Sequence, residues 1–182
     1  MARNTILLTL ILTACDGASQ SQTSPRPIVT SAVSAVAAPI SSDARAVKSL
    51  RDQLGNLETT YDAAMSAVLD TFNKVALGQV DDSNRDALND AAKNGMRMGT
   101  AILAQSLQLQ APTVTDSVLQ NYVNQIVSAH KAWARALQSR DAAFSRGNID
   151  RAIHFKDAAD GASSREAANL ALAYRQVGLP IQ

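Results

Sequence analysis

The chain has two histidines, and His154 is the one whose neighbours could give it a chemical role. Asp150 lies four residues before it and Asp157 lies three residues after it. In an α-helix these spacings place the three side chains on one face, where an imidazole and two carboxylates could hold a divalent metal ion. A solvated helix face with mild charge pairing has the same pattern, and we favour that interpretation. The sequence therefore predicts no resident metal or cofactor, with Asp150, His154 and Asp157 as the alternative ligands.

His130 lies in a different setting, within a helical pattern of apolar residues. Ile126 precedes it by one turn, and Trp133 follows it by three residues. A histidine in such a stripe is typical of a core or core boundary, where one ring nitrogen finds a hydrogen-bond partner. We expect His130 to pack rather than to bind a ligand.

Several well-known catalytic signatures are missing from the sequence. Di-iron bundles use Glu-x-x-His pairs, whereas the two glutamates of this chain, Glu58 and Glu166, are in no such pair. A c-type haem needs Cys-x-x-Cys-His, and this chain has one cysteine. Gly-rich phosphate loops, Gly-x-Ser-x-Gly and His-Glu-x-x-His are also absent from the sequence. The sequence predicts no catalytic residues and no enzymatic activity.

The first fifteen residues have the pattern of an export signal. Arg3 is the only charged side chain before Cys15, and residues 5–13 form an apolar block. That block is too short for a membrane span, which needs about 20 apolar residues. A cationic start, a short apolar segment and small residues at its end are typical of a secretory signal. The residues Leu12-Thr13-Ala14-Cys15 resemble the lipobox of bacterial lipoproteins.

This resemblance implies a cleaved and lipidated N-terminus. A dedicated peptidase would cut between Ala14 and Cys15, so residues 1–14 would be removed. Cys15 would carry two or three acyl chains, which is enough for stable anchoring in membrane lipid. Asp16 resembles the signal that keeps lipoproteins of enteric bacteria in the inner membrane. Location in the outer membrane is the alternative. The resemblance places the protein in the bacterial cell envelope, facing the periplasm.

Residues 15–42 have the composition of a flexible tether. They are rich in Ser, Thr, Ala and Gln, contain Pro25, Pro27 and Pro39, and show no helical period. A coil of this length has an r.m.s. span of about 25 to 30 Å. The tether would hold a folded domain clear of the lipid head groups.

Residues 43–182 are predicted to form one all-α domain. They are rich in alanine and poor in aromatic residues, Gly and Pro. The first helix is predicted from Asp43 to Leu77, with Gly78 closing it. Its predicted inward positions recur at steps of three and four residues: Val47, Leu50, Leu54, Leu57, Tyr61, Ala64, Val68 and Val75, widened by Met65, Leu69 and Phe72.

Caps and helix breakers predict a second and a third helix. The second begins near Ser83, with Asp86 at capping-box spacing, and is ended by Pro112. The third is opened by Thr113 with Asp116 and ends near Ser145. Predicted inward positions are Leu88, Ala91, Gly95, Met98, Ile102 and Leu103 in the second helix, and Leu119, Tyr122, Ile126, His130, Trp133, Leu137 and Phe144 in the third.

Asn148 is predicted to cap the fourth helix. Ser163 and Glu166 follow Gly161 at capping-box spacing, so the sequence predicts a kink or a break at residues 161–163. The predicted inward positions are Ile149, Ile153, Ala159, Leu170 and Tyr174.

Four helices joined by short turns favour an antiparallel four-helix bundle. The alternative is a set of tetratricopeptide-like helical hairpins, because residues 143–160 resemble a junction of that repeat, although no 34-residue period accompanies them. Ala91, Gly95 and Gly99 fall four residues apart, which predicts the close approach of a neighbouring helix, with the approach of a ligand as the alternative.

Charge and composition limit the classes of function that the sequence supports. Removal of residues 1–14 takes away Arg3 and leaves 16 basic and 16 acidic side chains, which argues against nucleic-acid binding. A lipid anchor, a tether and a neutral helical domain suit a non-enzymatic protein-binding module, for example a lipoprotein immunity factor against a secreted toxin. The alternative is a structural or assembly subunit of a secretion or transport complex. Metal binding through His154 is the third hypothesis.

Overall fold

The computed structural model describes residues 40–181, which form an all-helical bundle. The four helices of this described range are α1 (Ser42–Ala76), α2 (Arg85–Gln108), α3 (Ser117–Phe144) and α4 (Ile149–Gln176), and it contains no strands. None of these four helices is long and apolar enough to cross a membrane. The predicted signal segment, the lipidation site at Cys15 and the tether up to residue 39 lie outside the described residues.

Side-chain caps determine where three of the helices begin. The Ser41 hydroxyl accepts a hydrogen bond from the Ala44 N–H at 3.1 Å, so α1 begins one residue before its predicted start. The Asp116 carboxylate accepts from the Leu119 N–H at 2.9 Å and caps α3. Asn148 caps α4 as predicted, with its side-chain oxygen 3.1 Å from the Arg151 nitrogen.

The predicted start of α2 is wrong by two residues. Ser83 donates its hydroxyl and its N–H to the Asp81 carboxylate at 2.6 and 2.8 Å, so it stabilises a turn instead of capping the helix. The helix begins at Arg85 and ends at Gln108, four residues before Pro112. Residues 109–116 form the connection to α3.

The fourth helix continues through Gly161 without a break. It is helical from Ile149 to Gln176, so Ser163 does not begin a new helix. The capping-box interpretation of Ser163 with Glu166 is therefore wrong, and Glu166 is free to take another role.

The core consists of two apolar clusters arranged along the bundle. One contains Val47, Leu50, Leu54, Val114, Leu119, Val123, Ile126, Val127, Ala173 and Tyr174. The other contains Leu57, Tyr61, Ala64, Ile102, Leu103, Trp133, Ala134, Leu137, Ala159 and Ala162. Tyr61 and Trp133 meet edge to face in the second cluster, with their ring centroids 5.6 Å apart.

Gly95 allows α1 and α2 to approach closely, as the spacing of small residues predicted. A Cβ atom at position 95 would lie 2.5 Å from the carbonyl oxygen of Ala64 and 2.9 Å from Cγ2 of Val68. The backbone of α1 thus occupies the space that any larger side chain would need.

Some positions predicted to face inwards are exposed, and those predictions are wrong. They are Leu69, Phe72, Val75, Ala91, Met98, Phe144, Ile149 and Ile153. Periodicity identifies the face of a helix that can pack, but burial also needs a neighbouring helix at the same level. Apart from Ala91 and Met98 of α2, these residues lie in the last turns of α1, at the end of α3 or in the first turns of α4.

Candidate functional site

Both glutamates of the chain converge on His130. Glu58 comes from α1, His130 from α3 and Glu166 from α4. One possible ligand atom from each residue lies within 4.8 Å of the other two. Within residues 40–181 this is the one group of three or more His, Cys, Asp or Glu side chains that is so compact.

The helical pattern places this cluster at the junction of the two apolar clusters. On α3, His130 lies between Val127 of the first cluster and Trp133 of the second. On α4, Glu166 lies between Ala162 of the second cluster and Ala173 of the first cluster. His130 is fully buried and Glu166 is 6% exposed, because both occupy the face of their helix that packs inwards.

A buried hydrogen bond joins His130 to Glu166. The Nδ1 atom of the ring lies 2.9 Å from Oε2 of the carboxylate, so the tautomer that carries its proton on Nδ1 donates to Glu166. The ring also stacks on Trp133, with the centroids 5.0 Å apart and the planes 27° from parallel. The second ring nitrogen, Nε2, is buried and has no hydrogen-bond partner. His130 is thus in the core, as its position in the apolar stripe predicted, but half of its polar capacity is unused.

Glu58 brings a second carboxylate to the pair. Its side chain is half-buried, and burial raises the pKa of its carboxyl group. The negative charge of Glu166 raises this pKa further, while the positive charge that His130 can carry opposes the rise. The ionised form of Glu58 is therefore disfavoured in the folded protein, and an added cation would favour it.

The two glutamates also line a cleft that opens to solvent between α1 and α4. The cleft has a volume of about 720 Å³, and Arg51, Gly55 and Ser163 are among its other lining residues. A Cβ atom at Gly55 would meet nothing within 4 Å, which leaves that wall open. Because α4 packs mainly on α3 and only sparsely on α1, this seam of the bundle is loosely closed. A small solute can therefore reach Glu58 and Glu166 without unfolding of the core.

A second cleft, of about 550 Å³, lies between α1 and α2. Its walls are formed by amide, hydroxyl and apolar side chains, and it contains no titratable group. It offers no group for acid–base chemistry or metal binding.

The residues of the alternative metal site lie elsewhere. Asp150, His154 and Asp157 are all exposed on the first turns of α4, and their side chains do not form a comparably compact group. The ring of His154 contacts the neighbouring Phe155 at 5.8 Å between centroids. In the described part of the chain, the compact group of possible metal ligands thus surrounds His130 and not His154.

Sequence reasoning missed the cluster because its members are far apart in the chain. In the sequence, Glu58 is in no Glu-x-x-His pair, and the spacing of Glu166 from Ser163 predicts a capping residue. One signal was available: Glu166 lies four residues after Ala162 and four before Leu170, on the inward face of α4. A carboxylate on such a face requires a partner, and His130 is the one residue among the predicted inward positions that can carry a positive charge.

A separate feature is an apolar end of the bundle, defined by Leu69, Phe72, Val75, Phe144 and Ile149. Phe72 of α1 and Phe144 of α3 meet edge to face, with centroids 5.4 Å apart. The two rings nevertheless remain 50% and 48% exposed. The other three members are also more than half exposed.

Comparison of the chain with protein-family models, with curated proteins and with solved structures gave no match. Functional inference therefore rests on the residues of this chain.

Proposed function

We propose that this protein is a lipid-anchored, non-enzymatic binding protein of the bacterial envelope that captures a soluble protein through its apolar end. The observation that supports this proposal is the half-exposed Phe72–Phe144 pair. The proposal includes the lipidated Cys15, a flexible tether and an antiparallel order of the four helices.

Exposed aromatic pairs are unusual on a protein that has no partner. Single exposed apolar residues are common on protein surfaces, but clustered ones mark interaction sites. Aromatic side chains dominate the binding energy of many interfaces because they bury a large area at a small cost in side-chain entropy. Phe72 and Phe144 already hold each other in place, so a partner would meet a preorganised surface.

The position of the apolar end fits capture by a tethered protein. The tether enters the bundle at Ser42, and Phe72 lies 30 residues further along the continuous helix α1. At 1.5 Å per residue this separation is about 45 Å. The apolar end thus lies at the opposite end of α1 from the residue that follows the predicted tether. An inhibitor or immunity factor that intercepts a toxin in the periplasm is one concrete form of this function.

The proposal can be tested by capture from crosslinked native envelopes. The bait is the full-length protein with a tag at its C-terminus, compared with a Phe72→Ser/Phe144→Ser variant. Val118→Ser is the matched control, because Val118 is 49% exposed at the start of α3, away from the apolar end. We expect one soluble protein to be captured by the wild type and by Val118→Ser, and to be lost from the double variant. The captured protein must then bind the purified bait directly in solution.

A further variant, Cys15→Ser, separates capture of a soluble protein from assembly into a membrane complex. Direct binding in solution should survive the loss of the lipid if the bundle is a capture module. If only integral membrane proteins are recovered, and they disappear with Cys15→Ser, the capture proposal is wrong and the protein is a subunit of an envelope complex. Retention of the soluble partner by the Phe72→Ser/Phe144→Ser variant would show that another surface binds it.

A further inference from the structure

The Glu58–His130–Glu166 cluster has the donor atoms of a metal site, independently of any role of the apolar end. Its donors are one imidazole nitrogen and two carboxylates, which together suit zinc and related divalent transition metals. Magnesium and calcium prefer six or more oxygen ligands and rarely use imidazole. The chemistry of the donors thus favours a metal of the zinc class.

The spacing of the three side chains fits one ion. Ligand bonds of about 2.0 to 2.1 Å in a tetrahedral arrangement place neighbouring ligand atoms about 3.3 Å apart. His130 and Glu166 are now 2.9 Å apart, and all three ligand atoms lie within 4.8 Å of one another. Small side-chain rotations within the cluster would therefore create the required geometry, without movement of the helices.

One ring nitrogen of His130 is unsatisfied, although it is not the nitrogen that faces Glu166. A fully buried imidazole normally satisfies both ring nitrogens, because an unpaired buried polar atom costs about 1 to 3 kcal/mol. Here Nε2 has no partner while Nδ1 is held by Glu166. An ion between His130 and Glu166 would replace the proton that these residues share at Nδ1, and the imidazole would then carry its proton on Nε2.

The charges of the cluster also favour the binding of a cation. Two carboxylates lie beside one imidazole in a partly buried site, so the negative charge of the two ionised glutamates exceeds the single positive charge that His130 can carry. A divalent cation would neutralise both carboxylates at once.

The cleft between α1 and α4 supplies a route for the ion. Glu58 and Glu166 both line it, so an ion can enter from solvent and a water molecule can occupy the remaining coordination position. We propose that Glu58, His130 and Glu166 together bind one divalent transition-metal ion of the zinc class, which enters through this cleft.

The single tryptophan of the chain provides a direct test. Trp133 stacks on His130 at 5.0 Å, so an open-shell ion such as Co²⁺ bound to His130 would quench its fluorescence by close contact. The full-length protein, purified in detergent with a tag that lacks histidine and freed of metal by a chelator, is titrated with Co²⁺. We expect saturable quenching at one Co²⁺ per chain, and recovery of the fluorescence when Zn²⁺ displaces Co²⁺.

Co²⁺ binding by substituted proteins identifies which side chains bind the ion. Glu58→Gln keeps the His130–Glu166 hydrogen bond and changes a half-buried position, so the fold should survive, which circular dichroism verifies. We expect this variant and Glu166→Gln each to weaken Co²⁺ binding by about tenfold or more. His154→Gln, which removes the exposed histidine, should leave the affinity unchanged. Absence of saturable quenching in the folded wild type overturns the proposal, as does binding that both glutamine variants retain or that His154→Gln abolishes.

Discussion

His130 and Glu166 connect α3 to α4 through a hydrogen bond of 2.9 Å that is almost entirely removed from solvent. The bond crosses the junction of the two apolar clusters, where neither ring nitrogen of His130 has access to water. Another register of α3 and α4 would break this hydrogen bond and leave both polar groups without it. We expect the pair to favour the observed register whether or not a metal is bound.

Removal of both members of the pair should cost less stability than the sum of the two single removals. Glu166→Ala leaves His130 buried without its partner and should lower the free energy of unfolding by about 2 to 4 kcal/mol. The double variant His130→Leu/Glu166→Leu should be less destabilised than the sum of its two single variants, by about 1 kcal/mol or more. Urea unfolding of the metal-free protein measures all four variants. Additive losses would mean that the two side chains do not interact.

Glu58→Gln should stabilise the metal-free protein at neutral pH. The raised pKa of Glu58 shows that its ionised form is disfavoured by burial and by Glu166, and the neutral amide removes that repulsion. The same variant should lose the stabilisation that Zn²⁺ gives to the wild type. Thermal unfolding with and without Zn²⁺ checks both effects. A metal-free variant less stable than the metal-free wild type would contradict the first expectation.

Gly95→Ala should destabilise the protein although alanine is the better helix former. The added Cβ would meet the Ala64 carbonyl oxygen at 2.5 Å, so α1 and α2 would have to separate, at a cost of about 1 to 3 kcal/mol. Gly55→Ala is the matched control, because its Cβ would meet nothing within 4 Å. We expect it to raise the free energy of unfolding by about 0.5 to 1 kcal/mol. The two variants should differ in the sign of their effect on urea unfolding.

Asp43 should make stability sensitive to acid. Its carboxylate accepts hydrogen bonds from the Thr115 hydroxyl at 2.6 Å and from the Thr115 N–H at 3.1 Å, which tie the start of α1 to the α2–α3 connection. These bonds lower the pKa of Asp43 below its ordinary value of 3.8. The folded state thus binds this proton less tightly than the unfolded state. The stability that Asp43 contributes is complete above pH 3.8 and is lost as the pH falls through the lower, folded-state pKa.

The measurement is a comparison of Asp43→Asn with the wild type in urea from pH 7 to pH 2. The variant should be less stable at pH 7, and the difference should shrink below pH 3.8. Asp70→Asn is the control, because Asp70 makes one exposed ion pair with Lys74 and its loss should change stability by less than about 1 kcal/mol. A difference between Asp43→Asn and the wild type that stays constant with pH would show that the charge of Asp43 is not responsible.

Much of the fold could be predicted because it depends on local patterns. The apolar repeat from Val47 to Val68 identified the buried face of α1, and Asn148 identified the start of α4. The close approach at Gly95 also followed from spacing, since a glycine within a helix needs a compensating contact. The exposure of Phe72 and Phe144 could not be predicted, because periodicity does not reveal where neighbouring helices end.

The sequence by itself determined the all-helical class, most of the core positions and the burial of His130, because each depends on residues within a few turns of one helix. Only the tertiary structure decided that Glu58 and Glu166 meet that histidine. The three residues are separated by 72 and 36 positions along the chain, and their encounter depends on the rotation and register of three helices at once. A pattern within one helix shows which side faces inwards, but the partner on the opposite helix is chosen by packing of the whole core.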